Sequence, residues 1–129
     1  MFNNVGWNKI INNVLSFIEK DWEFLIIKSV FSKASYSMKF YYSMNGKEFA
    51  DLYNEIDDDK ASMLVDDTMI EFEKITEAFK DSNEKMFLTV KVESAGNVRV
   101  AYRIVQGGDK LPYDESHEYL RLSDSDKTA

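Results

Sequence analysis

From Met86 to Ile104 the chain alternates with a period of two, and that pattern restricts it to a narrow set of folds. Met86, Leu88, Val90 and Val92 interleave with Phe87, Thr89, Lys91 and Glu93. After Ser94-Ala95-Gly96-Asn97, the residues Val98, Val100, Tyr102 and Ile104 interleave with Arg99, Ala101 and Arg103. Successive side chains of a strand point to opposite faces, so this alternation describes two strands, each with one apolar side. A connection of four residues is too short for a crossover, and the strands must therefore pair antiparallel. Gly107-Gly108 breaks the second strand.

The first half of the chain repeats the same theme after a helix. Trp7, Ile10, Ile11, Val14, Leu15, Phe17 and Ile18 recur at three- and four-residue steps, which predicts a helix from about Val5 to Asp21 with Asn3 or Asn4 as its cap. Trp22 to Phe31 is rich in β-branched and aromatic residues and predicts a strand. In the next strand Tyr36, Met38, Phe40 and Tyr42 alternate with more polar neighbours, Tyr41 being the one irregularity. Asn45-Gly46 suits a tight type I′ hairpin turn, returning through a short strand at Lys47 to Asp51. A second helix is expected from about Lys60 to Lys80, with Val65, Met69, Phe72, Ile75, Thr76 and Phe79 toward the core and Asp57-Asp58-Asp59 supplying its N-cap. A short helical piece is expected at Glu115 to Leu122. The predicted fold class is α+β: a mainly antiparallel sheet of about 4-5 strands with helices packed on one face, in the order α-β-β-(β)-α-β-β-tail. Residues 1–122 would form a single domain, the usual size for a chain of 129 residues, and 123–129 a frayed polar tail.

Charge narrows the function classes. The net charge is −7, and it is unevenly spread. Residues 1–47 carry a balance of +3, residues 48–84 a balance of −10 and residues 85–129 a balance of zero. Nucleic acid and anionic membranes both reward clustered Lys and Arg, so neither is an expected partner, whereas a basic protein is. There is no cysteine, which removes disulfide scaffolds and thiolate chemistry. With no basic region leading into an apolar run at the N-terminus and no long apolar stretch, the expectation is a soluble, cytoplasmic protein.

The residues offer little for catalysis. His117, in Tyr113-Asp114-Glu115-Ser116-His117-Glu118, is the single histidine, and it reads more simply as a solvated tail residue than as half of an acid/base pair. One His without Cys cannot close a zinc site. Asp57-Asp58-Asp59 lacks the spacing and glycine of a calcium loop. No phosphate-binding loop or nucleophile elbow is present. No enzyme activity, metal or cofactor is therefore expected. The second helix is more informative. Opposite its core face, Met63 and Ile70 stand among Asp66, Asp67, Glu73, Glu77 and Asp81, an apolar anchor with an acidic rim. The alternative is that Met63 and Ile70 pack beneath the first helix or the tail. As a partner-binding surface the candidate residues are Asp57, Asp58, Asp59, Met63, Asp66, Asp67, Ile70, Glu73 and Glu77.

Over about residues 7–122 the chain resembles the YezG-like family of bacterial immunity proteins, antitoxins of polymorphic or contact-dependent toxins. The likeness lies in the amphipathic helix ending before Asp21-Trp22-Glu23 and in Phe40-Tyr41-Tyr42-Ser43-Met44-Asn45-Gly46-Lys47. It continues in the acidic helix, the hairpin Phe87-Leu88-Thr89-Val90 with Ser94 to Tyr102, and Pro112-Tyr113-Asp114-Glu115. The end of the chain departs from that family in lacking an aromatic, basic finish. The resemblance implies a monomer that neutralises a cognate toxin by stoichiometric occlusion, carries no catalytic residues and meets a target that is in many cases a basic nuclease. A small acidic α/β chain of this length is also compatible with a secretion-chaperone-like homodimer that holds an effector segment. Both are binding modules.

Overall fold

The computed structural model describes residues 4–31, 36–75, 84–106, 118–123 and 126. Helix α1 spans Asn4–Leu15, strands β1 Phe24–Phe31, β2 Tyr36–Ser43 and β3 Ala50–Asp51 follow, and a 3₁₀ turn covers Leu52–Asn54. Helix α2 then runs over Asp58–Ile75, and β4 Glu84–Glu93 and β5 Val98–Gln106 complete the order. The strands form one antiparallel sheet in the order β3-β2-β1-β4-β5, the α+β class expected from the alternation. Among the described residues no helix is long and apolar enough to cross a membrane.

Register decides which side chains share a face. Leu25 lies between Tyr42 and Val92, Ile27 between Phe40 and Val90, and Ser29 between Met38 and Leu88. These rows form the inner face, where they join Trp7, Ile10, Ile11 and Val14 of α1 and Leu64 and Phe72 of α2 in one buried cluster. The Phe72 ring closes it, meeting Trp7 edge-on at 5.6 Å and Phe31 at 4.9 Å. Both helices thus lie on the same side of the sheet. The Ser29 hydroxyl is fully buried in this apolar layer and has no hydrogen-bond partner among the described residues.

Several boundaries differ from expectation for identifiable reasons. Helix α1 ends at Leu15 rather than near Asp21, because Phe17 and Ile18 donate to the carbonyls three residues back and Ser16 turns its hydroxyl onto the Asn13 carbonyl. The core face of α2 is rotated toward Leu64 and Thr68, with Val65 and Met69 only half-buried. Thr68 tolerates full burial because the Asn13 amide of α1 donates to its hydroxyl at 3.0 Å. Helix α2 begins at Asp58, and its expected end, with Thr76 and Phe79, lies outside the described residues, as does the cap Asn3.

Asn45-Gly46 does not form a type I′ turn. That turn needs positive φ at both central residues, and only Gly46, at 75°, has it. The Ser43 hydroxyl instead accepts from the Asn45 and Gly46 amides, and the Asn45 side chain accepts from Lys47 and Glu48. The loop is therefore longer, and the return strand shrinks to Ala50–Asp51. A Cβ on Gly46 would stand 2.9 Å from the Phe24 ring on a backbone that already disfavours it. Gly46→Ala is expected to lower stability by more than about 1 kcal/mol in urea denaturation. Ser29→Ala should raise it by about 1 kcal/mol, since it removes an unsatisfied hydroxyl and adds no cavity; a loss there would mean that the hydroxyl has a partner.

Candidate partner-binding surfaces

Helix α2 presents its unburied side to solvent. Asp57 is the N-cap, its carboxylate accepting from the Lys60 amide at 2.8 Å, and Asp58 and Asp59 occupy the first turn, where the helix dipole favours negative charge. All three are exposed. Met63 is 57% exposed and Ile70 54%, so neither packs beneath α1 or the tail. At 3.6 residues per turn, Asp59, Asp66, Asp67 and Glu73 fall within about 80° of Met63 around the helix axis. All four are exposed, giving an apolar pair bordered by carboxylates. Glu77, Asp81 and His117 lie outside the described residues.

The opposite, outer face of the sheet carries a feature absent from the sequence expectations. Strand β1 is buried along nearly its whole length, including Ile26, Lys28 and Val30, which point away from the helices. Residues 118–123 and 126 provide part of their cover. Tyr119 meets Phe87 edge-on at 5.0 Å and shares a 2.6 Å hydrogen bond with Thr89, while Tyr41 donates to the Leu120 carbonyl at 2.7 Å. This contact accounts for Tyr41, the apparent irregularity of β2. Beneath the segment the Lys28 ammonium lies 4.3 Å from the Tyr119 ring centre and 2.6 Å from the Asp126 carboxylate. Asp126 is therefore not part of a frayed end. It accepts from both the amide and the hydroxyl of Ser123, each at 2.9 Å, and neutralises a lysine that is 4% exposed.

Lys28 belongs to a basic face. By register Lys39, Lys85, Lys91, Arg99 and Arg103 project from the same side of the sheet. Lys39 is bonded to Asp51 and lies 5.2 Å from the Tyr53 ring, and the Arg103 guanidinium sits 4.7 Å above Phe87. Lys91 and Arg99 stand directly opposite one another and line a small pocket with Phe24, Ile26, Glu93 and Asp126. The alternation of Lys91, Arg99 and Arg103 with apolar residues was the available signal for this face.

A second polar group links the α1–β1 connection to the sheet and to the turn after the 3₁₀ segment. Tyr42 donates to Glu55, whose other oxygen lies 3.1 Å from Lys20, in a cleft also lined by Ile18, Leu52 and Lys60. Burial, followed by the neighbouring Glu55, pushes the Tyr42 hydroxyl up to about 12. The hydrogen bond from Tyr42, together with Lys20, holds the Glu55 carboxyl below its ordinary value against the effect of burial. Both groups thus keep one protonation state through the neutral range, so the pair holds the structure together and is not poised for proton transfer. Burial likewise raises Tyr53, whose hydroxyl donates to the Met38 carbonyl at 2.9 Å. Among the described residues no three His, Cys, Asp or Glu side chains converge as a metal site.

Compared with known proteins, the chain matches no family model and no curated relative.

The Lys28–Asp126 pair makes stability depend on pH. Burial alone would raise the Asp126 carboxyl, but Lys28 and the two Ser123 donors outweigh it and hold the carboxyl low. A carboxyl lower in the folded than in the unfolded chain stabilises fully above its unfolded value of about 3.9, and that contribution is lost as pH falls through the folded value. Asp126→Asn should therefore cost about 3 kcal/mol at neutral pH, the lower end for breaking a buried pair, because the segment can lift and rehydrate Lys28. Urea titrations across the acid range should show the gap between parent and variant closing below about pH 3.9; parallel pH profiles would refute the coupling.

Proposed function

We propose that the chain is a monomeric immunity protein that neutralises a cognate bacterial toxin in the cytoplasm, binding a basic, nuclease-type effector through α2 by stoichiometric occlusion. The observation that carries the binding reading is the exposure of Met63 and Ile70 within a rim of Asp59, Asp66, Asp67 and Glu73. Two large apolar side chains held in water on a rigid helix lower nothing in the free protein and are desolvated only by a partner. The carboxylates around them attract a basic surface at a distance and select its orientation. The YezG-like resemblance supplies the nature of that partner, and occlusion requires no catalytic group on this chain.

Co-expression with the product of the adjacent reading frame tests the reading: rescue of growth and co-purification are expected, and failure of both overturns it. Met63→Ala with Ile70→Ala should weaken the complex at least about tenfold, about 1.4 kcal/mol, while leaving folding stability within about 0.5 kcal/mol. Asp66→Lys with Asp67→Lys should weaken it and flatten its salt dependence, because the attraction that salt screens has been removed. A stable homodimer in sizing chromatography would favour the chaperone-like alternative.

A further inference from the structure

The cleft that holds Glu55 opens beside the start of α2, and its lining specifies a cationic guest. It has a volume of about 390 Å³ and lies between the α1–β1 connection, the 3₁₀ turn and the first turn of α2. Phe17, Ile18 and Ile56 are half-buried and form apolar walls, with Leu52 buried behind them. A second hollow of about 370 Å³, bordered by Met44, Asn45 and Phe49, shares Tyr42, Lys20 and Glu55 with it. The two therefore meet at those three residues. Each is large enough for a side chain and falls within the roughly 300–1,000 Å³ of ordinary ligand sites.

The junction is acidic, and its central carboxylate is held ready for a better partner. Glu19, Glu48, Glu55 and Asp57 line the two hollows against Lys20 and Lys60, four carboxylates to two ammonium groups. Tyr42, buried in β2, donates to one oxygen of Glu55 and fixes its orientation, and Lys20 lies 3.1 Å from the other. These two contacts keep the carboxyl ionised through the neutral range. An ionised carboxylate offers about four lone-pair positions, so two donors do not saturate it. The Lys20 side chain is 67% exposed, and a pair of that kind contributes little, because a lysine ammonium is well hydrated on leaving. A guanidinium is more weakly hydrated, presents two parallel donors to a carboxylate and lays its apolar stem along walls such as Phe17 and Ile18. Lys60 does not compete for Glu55: its ammonium lies 3.9 Å from Glu19 at the rim. Lys60 also stands one turn before Met63 and about 60° from it around the helix axis, so the mouth of the cleft continues the exposed face of α2.

We infer that this cleft receives an arginine side chain of the basic partner that α2 engages, its guanidinium taking the place of the Lys20 ammonium on Glu55 and its stem lying against Phe17 and Ile18. The inference rests on the reading of α2 as the binding face and adds to it a specific anchor. Charge around Met63 and Ile70 orients a partner at a distance, whereas an arginine seated on a carboxylate of fixed orientation sets its register.

The test titrates the full chain with N-acetyl-arginine amide, with the lysine analogue and with the citrulline analogue, which keeps the shape of arginine without its charge. Amide chemical shifts are expected to move at Lys20, Tyr42 and Glu55 with the arginine probe, and at least about tenfold more weakly with citrulline, as for loss of a charge-assisted pair. Glu55→Gln, which keeps an acceptor for Tyr42, should weaken the arginine probe at least about tenfold as well. Lys20→Met removes the competing ammonium and should tighten it severalfold, whereas Met63→Ala with Ile70→Ala should leave it unchanged. Equal responses to arginine and citrulline, or to arginine and lysine, would overturn the inference. So would arginine shifts spread equally over Asp66 and Asp67, or weaker binding by Lys20→Met. The three-probe comparison on the unaltered chain decides the matter even if the variants do not fold. Because the probes contain no toxin, an arginine preference at the cleft beside failed growth rescue would sustain the cleft and overturn the immunity reading alone. Rescue without that preference would overturn the cleft alone.

Discussion

A lysine at the centre of the middle strand sets the terms for much of this structure. Lys28 is flanked in register by Lys39 and Thr89 and is almost wholly removed from water. An unpaired ammonium in that position would cost several kcal/mol. The counter-charge comes from Asp126, 98 residues away, and the cover from Tyr119, which lies over both Lys28 and Phe87. The pair goes with Tyr119, Leu120 and Asp126 lying across the outer face of the sheet. That in turn allows Ile26, Val30, Tyr41 and Phe87 to be buried away from the helices.

The same arrangement separates charge across a single layer. On one side of the sheet α2 holds exposed carboxylates around Met63 and Ile70. On the other, strands β1, β2, β4 and β5 carry six Lys and Arg side chains, with Lys28 held by Asp126 and Lys39 by Asp51. A molecule built this way orients in the field of a charged partner before contact, so direction of approach is selected more strongly than the net charge would imply.

Much of the sheet was legible in the sequence because antiparallel strands with one apolar side write their geometry as alternation. The β4–β5 hairpin, its Ser94 to Asn97 turn and the inner row of β2 all followed from that rule. The rule weakens where a strand is covered on both faces. Phe24-Leu25-Ile26-Ile27-Lys28-Ser29-Val30-Phe31 shows no alternation, and nothing local in it names a partner for Lys28. Asp126 sits among Ser, Asp, Lys and Thr, a composition that reads as solvated tail, because a tertiary ion pair leaves no periodic trace. Thr68 was passed over as a core residue for a related reason: its burial depends on Asn13, a polar group on another helix. The acidic, partly apolar face of α2 was visible as helical spacing, whereas the exposure of Met63 and Ile70 depended on where α1 was placed. The basic face required register, which aligns cations from four strands that are scattered along the chain.

The long separation between Lys28 and Asp126 also has a bearing on the order in which the protein is made. Strand β1 leaves the ribosome before β4, and its pairing with β2 is local, but its other edge waits for β4 and its lysine waits for Asp126. Until then the nascent sheet holds an ammonium that cannot be buried, which keeps its outer face wet and loosely packed. Completion of the fold is thereby tied to the emergence of Asp126. A product that terminates before Asp126 retains most of the apolar core yet lacks the charge that closes it, and is exposed to proteolysis in a way a chain containing Asp126 is not.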